Sequence, residues 1–251
     1  MAIVAAALSP NPGGNKTSET TFVVAIAGVA DAIVGDLLFV GIAADNAGTS
    51  GVSSITGVTD SQGNVYALVK EQNRTSGSAL DGCTASLYAA PITTQLTHLV
   101  DSVSITFSPA TVAKAVSLLR VNGSATSSYG TDGADGSGAT YSSNASATLA
   151  VGDIYVGVVA NESNTAPAFD SDTTNGSWAG DQRVSGGSGG DATKMAVNLS
   201  RKITTTAAGT QTLDAATGAS TDWALAAAWY TVPSAVASLV IPHRHRGLIV
   251  R

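Results

Sequence analysis

The sequence predicts an all-β protein built from two tandem antiparallel β-sandwiches, Ig-like or jelly-roll-like, related by internal duplication and carrying extended termini. Three observations lead there. First, one phrase occurs twice. Residues 34–46 read Val-Gly-Asp-Leu-Leu-Phe-Val-Gly-Ile-Ala-Ala-Asp-Asn, and residues 151–161 read Val-Gly-Asp-Ile-Tyr-Val-Gly-Val-Val-Ala-Asn. Each is a Gly-Asp turn followed by a short apolar run, the pattern of a strand buried on both faces. Second, the composition is that of a hydroxyl-coated β protein. Apolar residues make up 44% of the 251, carried by Ala and Val, while charged residues reach only 12% against roughly 25% in an ordinary globular domain. Third, no stretch shows the 3.6-residue period of an amphipathic helix.

In chain order, residues 2–8 read as a short strand or extended arm, and residues 9–16 as a Pro/Gly loop. Residues 20–30 alternate around Phe22, Val24 and Ile26 and turn at Gly35-Asp36 into the first central strand. Residues 52–59 and 65–69 are expected to form a hairpin across Asp60-Ser-Gln-Gly-Asn64, whose residues tolerate tight turns. Residues 83–90 form the next strand. In residues 102–108, Val103, Ile105 and Phe107 share one face while Ser and Thr take the other. Residues 112–121 fit helix or strand, and their β-branched content and the corresponding later strand favour strand.

After a glycine-rich connector the pattern restarts. Residues 140–149 match the strand before the first Gly-Asp; Trp178 matches Tyr66, Ile203 matches Ile92, Leu213 matches Ile105, and Ala224 matches Ala115. The offset drifts from 117 residues (Val34 to Val151) to 109 (Ala115 to Ala224), as small loop deletions in a duplicated unit would make it. The organisation expected is an N-terminal arm (1–19), a first sandwich (20–123), a glycine-rich linker (124–139), a second sandwich (140–232) and a C-terminal docking arm (233–251). Two Gly/Ser loops, 73–82 and 185–191, fall at equivalent places.

Charge and cysteine count narrow the function classes. A net charge of −6 opposes a cationic nucleic-acid face. No apolar run reaches transmembrane length, and no secretory leader is read at the start, so neither nucleic acid nor membrane is an expected partner. A single cysteine, Cys83, cannot form an internal disulfide and reads as a buried small hydrophobe.

No catalytic, cofactor or metal site is predicted. His98 precedes a strand, the other two histidines lie in the tail, and no Gly-x-Ser-x-Gly elbow is present. Asp36, Asp45, Asp60, Asp153, Asp170 and Asp172 sit at turns and strand ends, where Asp serves the backbone. Residues 170–176, Asp-Ser-Asp-Thr-Thr-Asn-Gly, resemble part of a calcium loop but lack its distal Glu and its length. His243 and His245 have a chelating spacing, although contact with a partner surface is the commoner use of such a tail. Among the aromatics, Trp229 and its neighbour Tyr230 lie in an apolar strand, whereas Trp178, between two glycines, is the candidate for an exposed surface-binding residue. The apolar-basic-apolar tail is the candidate docking element, through Leu239, Ile241, His243, Arg244, His245, Arg246, Leu248 and Ile249.

The Gly-Asp turns, the Val-Thr-Asp-Ser-Gln-Gly-Asn-Val-Tyr stretch at 58–66 and the Ser/Thr/Ala-rich strands resemble virion proteins of tailed bacteriophages, especially of actinobacterial hosts, commonly described as minor tail proteins. The resemblance spans residues 20–232. It implies a non-enzymatic structural component of the virion, built into a tail tip or onto a capsid. The tail is the leading expectation, with other virion proteins as neighbours and the protein repeated as a homo-oligomer in a symmetric assembly. It brings no catalytic residues. The alternatives are a capsid decoration protein and a module that binds host cell-surface glycan; a glycan hydrolase would need two carboxylates in a cleft.

Overall fold

The computed structural model describes residues 4–8, 10–28, 30–46, 52–75, 82–122, 128–186 and 194–231. They are all-β, without helices, in three antiparallel sheets. In the first half the strands are β1 (Val4–Ala7), β2 (Gly14–Asn15), β3 (Glu19–Ala25), β4 (Asp36–Asp45), β5 (Ile55–Asp60), β6 (Ala67–Asn73), β7 (Cys83–Pro91), β8 (Ser102–Thr111) and β9 (Lys114–Asn122). The second half holds β10 (Gly130–Ser142), β11 (Ile154–Asn161), β12 (Ala179–Val184), β13 (Ala196–Ile203) and β14 (Asp214–Tyr230).

The apolar run of β4 is buried along its whole length because it lies in the middle layer. Leu37, Phe39 and Ala43 face one way, toward Ile154, Val156 and Val158 of β11. Leu38, Val40, Ile42 and Ala44 face the other way, toward Val103, Ile105 and Phe107 of β8. The central sheet has the order β1-β9-β4-β7-β6, with β2 also on β9. One face is covered by the outer sheet β3-β8-β5, and the other by β10-β14-β11-β13-β12. The two halves share a core: the largest apolar cluster takes residues from both, and Phe39 of the first half meets Tyr230 of the second edge to face at 5.1 Å.

The two facing sheets have matching orders. β9-β4-β7-β6 in one corresponds to β14-β11-β13-β12 in the other, and β1 and β10 occupy the same edge position. Their packing is reciprocal as well, since β6 lies on β14 as β12 lies on β9, and β7 on β11 as β13 on β4. Such self-complementarity is the geometry of a two-fold interface.

Three local expectations change. Asp60–Asn64 does not close a hairpin: β5 pairs with β8 in the outer sheet and β6 pairs with β7 in the central one, so the turn is a corner between layers. The glycine-rich linker is strand from Gly130 onward. Its glycines are packing positions, because a Cβ at Gly130 would collide with the Trp229 indole and one at Gly136 would lie 2.8 Å from Trp223. Residues 143–149, read as strand, are instead held by scattered bonds to residues 209–213, such as Ser143 N–H to Leu213 O at 2.9 Å. In the second half, Tyr141, Tyr155, Trp178, Leu213, Trp223 and Trp229 make an aromatic layer in the place that a third sheet fills in the first.

Candidate functional site

The residues that the sequence marks as chemically suggestive are mostly spent on architecture, and in pairs. Gly35 and Gly152 both have left-handed backbones, φ +93° and +95°, which a side chain would strain. The following aspartates close the same turn. Asp36 Oδ2 accepts the N–H of Ile33 at 3.0 Å, and Asp153 Oδ2 accepts that of Ala150 at 2.8 Å. Both carboxylates are buried and tied to the neighbouring strand end, Asp36 by the Asn122 amide and Asp153 by the Tyr129 hydroxyl.

The corner stretches match in the same way. Asp60 Oδ1 accepts the N–H groups of Gln62 and Asn64, and Asp172 Oδ1 accepts that of Thr174. Asn64 Oδ1 accepts the N–H groups of Thr93 and Thr94, each at 2.9 Å. Asn175 Oδ1 accepts those of Thr206 and Ala207, at 2.8 and 3.0 Å. The stretch that resembles a calcium loop is thus a corner whose oxygens are taken: Asp170 accepts the N–H of Asp172 and of Asp214, and Asp172 Oδ2 holds Lys202 Nζ at 2.6 Å. That pairing with Lys202 holds the Asp172 carboxyl below its ordinary range. Among the described residues, no group of three or more His, Cys, Asp or Glu is placed to hold a metal ion.

Trp178 is not the exposed platform that its flanking glycines suggested. It is only 7% exposed, set edge-on to Tyr155 at 5.4 Å and covered by the buried Lys202, whose ammonium lies 5.8 Å from its ring. Trp229 and Tyr230 are core, as expected. His98 Nδ1 lies 2.6 Å from Asp31, and the two residues fasten neighbouring loops. Cys83 is sealed in the shared core, where burial first and the nearby Glu162, Asp222 and Asp45 carboxylates next push its thiol well above the ordinary value, so it is no nucleophile.

Sequence reasoning missed two features. One is the acidic pair at the matching ends of β4 and β11. Asp45 and Glu162 are 3% and 5% exposed, which closes them to any sugar substrate. Burial pushes the Asp45 carboxyl up to about 7, opposed by the Ala113 N–H that it accepts and reinforced by Glu162. Among the described residues Asp45 Oδ1 has no partner, while Glu162 Oε1 accepts the N–H of Gly82 at 2.7 Å. The other is an open apolar cleft of about 360 Å³ at the mouth between the two stacked sheets, lined by Val65, Ala67, Leu68, Val69, Pro91 and Tyr230, among others. Val65 is 80% and Leu68 49% exposed. The one signal for it in the sequence is an apolar Val placed directly after the polar Asp60–Asn64 turn.

The docking candidates Leu239, Ile241, His243, Arg244, His245, Arg246, Leu248 and Ile249 lie outside the described residues, as do most of the 73–82 and 185–191 loops. Comparison with protein-family models, with curated proteins and with solved structures finds no match to this chain.

Proposed function

We propose that this protein is a structural subunit of a tailed-phage virion, of the minor tail protein kind, that assembles with other virion proteins, and with further copies of itself, through its termini. One observation carries the reading. The residues on which the resemblance rests, the Gly-Asp turns and the Asp60–Tyr66 corner, are bonded into the scaffold. Tyr66 and Asn64 both donate to Asp60 Oδ2, so the motif is a building device rather than a reaction centre. The equal strand orders, the twinned turns and the twinned corners further support internal duplication: the chain is a fused pair of sheet units, each half retaining the self-complementary face.

A second reading, a module that binds host cell-surface glycan, has one favourable feature. A polar depression of about 410 Å³ is lined by Asp172, Thr174, Asn175, Thr206, Thr210 and Gln211, among others. Antibody labelling of purified particles tests the main reading. Label at the tail supports it. Label spread over the capsid makes the protein a decoration protein, and unlabelled particles overturn the virion assignment. Binding of the isolated protein to host glycans would then favour the second reading.

A further inference from the structure

The last described strand, β14, ends at Tyr230, and Tyr230 is itself a wall of the open apolar cleft. Three features make that cleft a receptacle. It exposes two large apolar side chains side by side, Val65 at 80% and Leu68 at 49%. The edge of β6 beside it is broken by a register shift between Leu68 and Lys70, so the cleft offers side-chain pockets rather than a regular ladder for an added strand. And the described chain ends at Thr231, one residue beyond Tyr230 in the cleft wall.

Those residues have the matching chemistry. Residues 232–241 read Val-Pro-Ser-Ala-Val-Ala-Ser-Leu-Val-Ile, free of charge and apolar except at Ser234 and Ser238. Ten extended residues span roughly 33 Å, ample to cross the cleft. The last 20 residues carry three arginines and no acid, which leaves the rest of the chain at −9 against a total of −6, so the arm and the body attract each other. An arm tethered at the rim also meets its own cleft at a far higher effective concentration than any free segment does.

We infer that residues 232–241 of this chain pack into the Val65–Leu68–Tyr230 cleft of their own molecule. The basic segment His243–Arg246 and the terminal Leu248–Val250 then project from this fixed point, so the body sets where the docking segment stands. The inference rests on the assembly reading for what the arm is for, not for where it lies.

Disulfide trapping in the purified full-length chain tests it. Leu68→Cys is paired with Leu239→Cys, and the control pair is Val23→Cys with Leu239→Cys. Val23 is 50% exposed on the outer sheet, against 49% for Leu68, and the native Cys83 is buried and does not compete. Mild oxidation should give an intramolecular disulfide with Leu68→Cys at a yield several-fold above the control. Equal yields from both pairs would overturn the inference. A concentration-dependent, intermolecular disulfide favouring Leu68→Cys would also overturn it, with the arm of a second copy as the occupant. No particle is involved, so the outcome is independent of where antibody labels a virion.

Discussion

Asp45 makes the protein's stability depend on pH in a window that few of its other carboxylates reach. The residue ends β4, inside the seam between the two halves; among the described residues Oδ1 is unpartnered and Oδ2 accepts the Ala113 N–H. Its pKa rises from 3.8 to about 7 on folding, because burial penalises the charge and Glu162 adds repulsion. Below pH 3.8 the group is protonated in both states. Between 3.8 and 7 the unfolded chain has lost the proton and the native one keeps it, so unfolding becomes easier as pH rises. Integrated over that interval, the destabilisation reaches about 4 kcal/mol by neutral pH. Asp181 and Asp214 are raised too and act in the same direction, while Asp31, Asp101 and Asp172 are lowered and act below 3.8. Asp45→Asn isolates the Asp45 share, since its amide oxygen can still accept from Ala113. Urea unfolding of both proteins at several pH values between about 4 and 8 reads the result. The stability of Asp45→Asn relative to wild type should climb with pH across this range, by up to about 4 kcal/mol. A difference that stays flat from pH 4 to 8 would refute the argument.

Two further substitutions probe the buried polar framework. Lys114 is wholly buried and donates to the carbonyls of Thr17, Thr111 and Val112 while facing Glu19 at 3.0 Å. Lys114→Met should cost about 3 kcal/mol in chemical denaturation and loosen the N-terminal strands, because the carbonyls keep their burial and lose their donor. A loss under about 1 kcal/mol would show that water replaces the ammonium. The twin corner asparagines should differ: Asn64 is buried, so Asn64→Ala costs about 2 kcal/mol, whereas Asn175→Gly costs under about 1 because its bonds face solvent. Equal losses at the two sites, measured by thermal unfolding, would contradict this ranking.

Much of this fold was legible in the sequence, for physical reasons that also explain the misses. β4 and β11 stood out because a strand buried on both faces has no room for polar alternation. The match of Ala115 with Ala224 holds in register, since they sit opposite Ala43 and Ala160 at corresponding places in their sheets. The match of Ile92 with Ile203 was one residue off: Gly35 N–H bonds Ile92 O, and Gly152 N–H bonds Thr204 O. The hairpin at 60–64 failed because Asp, Gly and Asn suit a corner between sheets as well as a tight turn. β10 hid behind its glycines, whose cause, two indoles lying over the strand, is a long-range contact that no local pattern reveals. Trp178 looked exposed for the same reason, as its cover comes from Lys202, a residue that strand alternation alone would have left in solvent.

The central structural claim is that the two halves are one cooperative body, joined through the shared apolar layer. All three tryptophans, Trp178, Trp223 and Trp229, lie in the second half, so intrinsic fluorescence reports unfolding there alone. Ile105 is fully buried between the central and outer sheets of the first half, in a cluster that contains no residue of the second. Ile105→Ala should cost about 2–5 kcal/mol, and the tryptophan transition in urea should shift by that full amount as a single step. An unshifted tryptophan transition, with only circular dichroism reporting the loss, would show that the halves unfold independently and would contradict it.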